Sequence, residues 1–307
     1  YMKKIICIGE CSLNVILDSE GRPLGTMPGG RIANAAAMLA RDKFEVIMAS
    51  EASADPVGDI VVNFLASAGV DTKSVDRFTE GRTALNVFVA PGSDSANAMP
   101  SLTRYESYPD EAFDIIWPRI DPGDIVLYGG FYALDKRMRQ RMTKLLEHAA
   151  EREAVMVYLP GFLPQQEPRI TRVMPQILEN LEMAHVVVTR NKDLDLIFGV
   201  KHPQTCYHDH IDFYCRSLIN IDNTCNAITY YTGKDMTTVG ITAAISNTLL
   251  WNAGAIAGIV GTIAERDLKP EVFETPDEQL RQTILGAAAT SAANAAKTLT
   301  EPWQKIS

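Results

Sequence analysis

The chain has 307 residues, 46% hydrophobic and 22% charged, enough to bury one large α/β core or two moderate ones. Its 29 Lys and Arg against 38 Asp and Glu leave a net charge of −9, and the basic residues form no cluster; nucleic acid is therefore not an expected partner, because neutralising phosphates needs a basic face. Five cysteines (Cys7, Cys11, Cys206, Cys215, Cys225) without framework spacing suit a reducing cytoplasm, and no apolar stretch has the length of a membrane span or signal segment.

In chain order, Met2 to Gly9 reads as a short buried strand ended by Glu10, with Tyr1 ahead of it read as an addition to the chain. From about 13 to 26 the polarity alternates between turn residues, as it does again over 83–89 and 102–105, so these are expected as short strands of a separate small sheet. Gly29-Gly30-Arg31-Ile32-Ala33-Asn34 opens a small-residue helix that runs through Ala40, and the apolar run Val46 to Ala49 is followed by Asp55-Pro56-Val57-Gly58-Asp59. Asp124 to Gly130 is expected as a strand ending in glycines, Lys136 to Arg152 as an amphipathic helix, and Ala154 to Tyr158, Met183 to Thr189 and Ala227 to Tyr231 as further strands. Strand and helix in alternation predict a mainly parallel sheet covered on both faces, with right-handed crossovers. Gly286 to Lys297 is an alanine-rich, closely packed helix.

A Gly-Gly pair lets the backbone approach a small polar ligand, and Asn34 offers a donor and an acceptor to hydroxyls; alone, the same pair ahead of an alanine-rich helix serves packing. With DPVGD at this separation, GGRIANAAAMLAR resembles the ribokinase-like, or PfkB, carbohydrate kinases, closest to the 2-keto-3-deoxygluconate kinase and fructokinase branch. The resemblance implies a three-layer α/β/α sandwich formed as one domain over 2–307. A small β-sheet lid, from about 13–26 and 83–105, would cover a sugar and pair with a second copy into a homodimer, an otherwise open sheet edge being the physical reason. It also implies ATP and Mg as cofactors and a cytoplasmic protein without membrane contact.

Site by site, the chain departs from that family's pattern. Asn14 stands where the family has a sugar-binding aspartate, and Leu159-Pro160-Gly161-Phe162-Leu163 replaces a DPNxR-like signature with leucine at both charged positions. In the NxxE-like stretch Asn191 is kept for the nucleotide side, but Leu194 takes the glutamate position, leaving Asp193 and Asp195 as flanking candidates for the metal. An acidic first helical turn explains the same two residues without a metal. The nucleotide-facing TxGxxG-like turn survives in outline as Thr232-Gly233, a pair that any β-turn would also use.

The family's GAGD motif sets glycine amides around the transferring phosphoryl group and an aspartate that takes the proton from the sugar hydroxyl. Here the run Ser246 to Gly258 has no carboxylate: one register puts Ala253 at the aspartate with Leu250-Trp251-Asn252 at the glycines, the other puts Ala255 there after Asn252-Ala253-Gly254. Both registers give alanine. Asn252, Gly254 and Asn294 are the remaining candidate nucleotide contacts; Asn14, Gly29, Gly30, Asn34 and Arg104 are the candidate substrate set, with Arg104 placed to hold a sugar-acid carboxylate. His202 and Cys206-Tyr207-His208-Asp209-His210 gather metal-ligand types without a recognised spacing, and a solvated loop accounts for them. The expectation is a protein that binds a sugar or sugar acid, with phosphotransfer lost or weakened; the alternative is an active ATP-dependent sugar kinase.

Overall fold

The computed structural model describes residues 3–90, 101–111, 116–241 and 248–298. The first half runs β1 (Lys4–Ile8), β2 (Ser12–Leu17), β3 (Pro23–Gly29), α1 (Arg31–Arg41), β4 (Glu45–Ser53), α2 (Pro56–Ala68), β5 (Val75–Phe78), β6 (Arg82–Val89) and β7 (Ser101–Ser107). The second runs β8 (Ile125–Gly129), α3 (Arg139–Glu151), β9 (Val155–Leu159), α4 (Met174–Met183), β10 (Val186–Arg190), α5 (Asn191–Phe198), α6 (Pro203–Cys206), β11 (Leu218–Asp222), β12 (Ala227–Thr232), β13 (Asp235–Gly240), α7 (Thr248–Glu265) and α8 (Glu278–Thr298).

The central strands are nearly continuous apolar runs because both of their faces are covered. Along β1 the side chains alternate between two cores: Ile5 and Cys7 pack with Leu39 of α1, Ile256 of α7 and Ala288 of α8. Ile6 and Ile8 join Met142 of α3, Ile177 of α4 and Ile197 of α5 on the other face. The nine-stranded sheet has the order β13-β12-β11-β10-β9-β8-β1-β4-β5. From β1 the chain goes first to β4 on one side and later to β8 on the other. The crevice beyond the carboxyl ends of β1 and β8 is thus the switch point where open α/β sheets bind ligands.

The sequence reading corresponds to this three-layer architecture but does not include the two edge strands, β5 and β13, or strand β11. Strands β12 and β13 are antiparallel to their neighbours. The connections decide it: residues 223–226 and the Gly233-Lys234 turn, with Gly233 at φ 54°, are too short for a parallel crossover and make hairpins instead.

The small sheet has the order β3-β2-β6-β7, with β2 and β6 parallel and the other pairs antiparallel. The DPVGD segment ties it down. The Asp55 carboxylate caps α2 by accepting from Gly58 N at 2.7 Å and also accepts from Thr83 N at 3.0 Å and Thr83 Oγ1 at 2.8 Å, so one side chain fixes helix and small sheet together.

Candidate active site

A cavity of about 100 Å³ lies between the small sheet and the carboxyl ends of the central strands. Its roof is Asn14 of β2, Asn86 of β6 and Arg104 of β7; its floor is Glu10 after β1, Arg31 at the start of α1, Gly161 after β9 and Arg190 at the end of β10. The roof is one hydrogen-bonded network. Asn86 Nδ2 donates to Asn14 Oδ1 at 2.8 Å and to Ser12 Oγ at 3.0 Å, while Asn86 Oδ1 accepts from Arg104 Nη1 at 3.0 Å. Arg104 Nε donates to Glu106 at 2.7 Å, and its Nη2 is buried with no partner among the described residues.

Of the five residues expected to meet a substrate, Asn14, Gly30, Asn34 and Arg104 line this cavity and Gly29 does not. A Cβ on Gly29 would collide with the side chains of Ser12 and Asn14, so this glycine makes room for the roof network rather than for a ligand. Gly30 has φ 100° and turns the chain into α1 against the Glu10 carbonyl, a conformation open to glycine. Asn34 Nδ2 donates to Pro28 O at 3.0 Å and Gly30 O at 2.9 Å. Its donor half therefore clamps the Gly-Gly turn, leaving only the carbonyl oxygen to face a ligand.

The floor holds a charged cluster that sequence reasoning missed. Asp193, in the first turn of α5, accepts from Arg190 N at 2.9 Å, from both Nε and Nη2 of Arg190, and from Arg31 Nη1 at 3.1 Å. Arg31 Nη2 also donates to Gly161 O at 3.1 Å. Side-chain exposure is 12% for Arg31, 10% for Arg190 and 1% for Asp193, so two guanidinium groups share one carboxylate out of water. Burial alone would raise the Asp193 carboxyl, but Arg190 and Arg31 outweigh it and hold it well below the usual carboxylate range. Burial, and then the neighbouring Arg190, pull Arg31 down to about 10, still protonated at neutral pH. Glu10, half-buried beside them, is pushed up by desolvation against the pull of Arg104 and of the Tyr132 N–H it accepts at 2.9 Å. The clue in the sequence was Arg190 itself, a charge closing the apolar strand Val186 to Thr189.

This arrangement does not fit a magnesium ion. Both oxygens of Asp193 are occupied by arginines, Asp195 is exposed on the outer face of α5, and among the described residues no group of three His, Cys, Asp or Glu comes together to hold a metal. The histidine-rich segment follows suit: His202 and His208 are exposed and His210 stacks on Phe198 with centroids 4.9 Å apart.

The residues expected around a nucleotide separate into three places. Asn191 and Asn252 share the edge beyond β10 and β11: Asn191 accepts from Asn220 Nδ2 at 2.6 Å, and Asn252 accepts from Asn223 Nδ2 at 3.2 Å in the 223–226 turn. Asp222 there is down at about 2, its burial outweighed by hydrogen bonds from Thr224 and Asn191. Thr232 and Gly233 lie at the opposite end of the sheet. Because β12 runs antiparallel, Tyr231 pairs with Leu218 at the start of β11, and Gly233 N donates to Tyr207 Oη at 2.8 Å. Gly254 packs against α8, where a Cβ would stand 2.7 Å from Ala295 Cβ and 2.8 Å from Ser291 O. Asn294 is exposed along the groove between α1, α7 and α8, away from the cavity.

The start of α7 is already helical where the first register puts the glycine cradle. Leu250, Trp251 and Asn252 are buried, and Ala253 and Ala255 have no solvent exposure. At Asn252, the fifth residue of the helix, the backbone amide is committed to the carbonyl four residues back.

The comparisons agree with this geometry. Residues 2–212 match the pfkB family carbohydrate kinase pattern. A ribokinase of Bacillus subtilis is 34% identical over 106 residues, covering 31% of this chain and 36% of that protein. The chain thus spans about a third of that curated relative. Among solved structures, the aminoimidazole riboside kinase of Salmonella enterica, bound to aminoimidazole riboside and an ATP analogue, superposes with a TM-score of 0.79 at 14% identity, over 97% of this chain and 94% of that one. The ATP-bound fructokinase of Xylella fastidiosa gives 0.76 at 18% identity, over 98% and 93%. The fold is ribokinase-like, and the chain belongs to the PfkB family of carbohydrate kinases.

Proposed function

We propose that this chain is a binding protein on a kinase scaffold, holding a sugar or sugar acid beneath the small sheet while ATP-dependent phosphorylation is lost or weakened. The observation that carries the reading is the start of α7, which offers buried Leu250, Trp251 and Asn252 in place of close-approach glycines and alanine at both candidate base positions. Loss of a positioned base alone slows proton transfer by about two to four orders of magnitude. Bulky residues at the close-approach positions weaken stabilisation of the phosphoryl group as well. In this reading Asn14, Asn34 and Arg104 contact the ligand, the small sheet acts as a lid and pairs with a second copy, and the protein works in the cytoplasm as a sensor or partner subunit.

Calorimetric titration with a sugar panel and with ATP and magnesium, followed by turnover assays on whatever binds, tests this. Sugar binding with turnover far below about 1 per second is expected; turnover at or above that rate, inside the ordinary enzyme range, identifies an active sugar kinase and overturns the reading.

A further inference from the structure

Three arginines line the cavity, Arg31 and Arg190 on its floor and Arg104 on its roof. Arg31 and Arg190 share the carboxylate of Asp193, and Arg104 faces them from the roof with its side chain 5% exposed, its Nε held by Glu106 and its Nη2 buried without a partner among the described residues. A buried guanidinium N–H without an acceptor is costly unless a ligand supplies one. Glu10 offsets part of this charge, but its carboxyl is engaged by the Tyr132 N–H, and burial works against its ionised form.

The cluster is also rigidly built. Gly161 leaves the space in which Arg31 and Asp193 meet, since a Cβ there would overlap both side chains. Asp193 fixes the Arg190 plane through two of its N–H groups, Nε and Nη2, which leaves Nη1 outside that pair on a side chain that lines the cavity. Guanidinium groups preset in this way suit the planar or tetrahedral oxygens of carboxylate and phosphate.

We propose that Arg31, Arg190 and Arg104 form a metal-independent anion site, which takes the carboxylate or phosphate monoester group of a monosaccharide-sized ligand. It rests on the preceding reading only for the sugar part of that ligand. The cationic charge that a kinase draws from a bound metal is here supplied by side chains, and Asp193 serves to orient them instead of organising an ion.

The test uses the intact protein in buffer containing EDTA, and again with magnesium. Calorimetry compares gluconate with glucose, a fructose phosphate monoester with fructose, and inorganic phosphate alone. The anionic member of at least one pair should bind about tenfold more tightly or better than its neutral parent, as expected for charge-assisted hydrogen bonds, and EDTA should not change it. Arg190→Gln should erase the preference; because it also unpairs Asp193 and can unfold the chain, Arg104→Gln is measured beside it and should reduce the preference while leaving the fold intact. Equal affinity for charged and neutral partners, or anion binding that appears only with magnesium, overturns the anion site. Neutral sugars binding without any anion preference would leave the sugar cleft standing and remove the anion site; phosphate binding with no sugar of either kind would do the reverse.

Discussion

The Arg31–Asp193–Arg190 cluster turns on two residues, one whose replacement alters only space and one whose replacement alters charge. Gly161→Ala changes no charge, yet its methyl group would enter the space where Arg31 Nη2 and Asp193 Oδ1 meet, so it should destabilise by about 1–3 kcal/mol as overpacking does; urea unfolding measures it. Asp193→Asn removes the shared carboxylate and strands two buried guanidinium groups, an expected loss of about 3–5 kcal/mol at neutral pH. The pH dependence has a definite sign. Because the folded carboxyl is held below its unfolded value of about 3.9, its contribution is fully present above that value and is lost as pH falls further. The melting-temperature gap between wild type and Asp193→Asn should therefore be constant from pH 7 to about 5 and shrink below about 4; a gap that persists unchanged into acid would show that the pair adds nothing. This cluster was hidden from the sequence because its members, at 31, 161, 190 and 193, meet only when strand ends are brought side by side. The family comparison also drew attention to position 194, which proves to be core: Leu194 is fully buried.

At the scale of elements, the sheet and helices were legible because each has one dominant signal: apolar runs for the strands that are covered on both faces, and 3.6-residue spacing or alanine richness for the helices. The antiparallel edge was not. Strand β11, with Asn220 and Asp222 in it, looks too polar for a buried strand, yet Asn220 is satisfied by Thr189 and Asn191. The glycines of α7 were likewise ambiguous until α8 was seen against them. Gly254 and Gly258 are four residues apart on the face that meets α8, where added Cβ atoms would stand 2.7 Å from Ala295 Cβ and 2.6 Å from Ala287 O. Small residues there let two helices approach backbone to side chain, which explains alanine and glycine in both sequences without a nucleotide. Gly254→Val should force the helices apart and cost about 1–3 kcal/mol, read as a lower denaturation midpoint with no change in sugar affinity. A loss of nucleotide affinity without a loss of stability would return Gly254 to the ligand site.

On the scale of the whole molecule, the proposed loss of phosphotransfer is tested by asking whether one substitution speeds it. A phosphoryl-transfer site needs a base, a cradle for developing charge and a means of neutralising the phosphates, contributed by elements far apart in the chain and assembled at one sheet edge. In the proposed reading all three differ at once: alanine stands at the base position in either register, the start of α7 is helical and filled by Leu250 and Trp251, and Asp193 is locked by arginines. Ala253→Asp would return a carboxylate alone. Placed at a position with no solvent exposure, that carboxyl would be poorly solvated and should lower stability, while leaving Leu250, Trp251 and the arginine-bound Asp193 unchanged. The expected result is a less stable protein whose phosphotransfer to any sugar it binds is no faster than wild type, measured with ATP and magnesium. A tenfold or greater gain in turnover would mean that the base was the only missing part, and that the buried helix start and the arginine-bound Asp193 are compatible with catalysis after all.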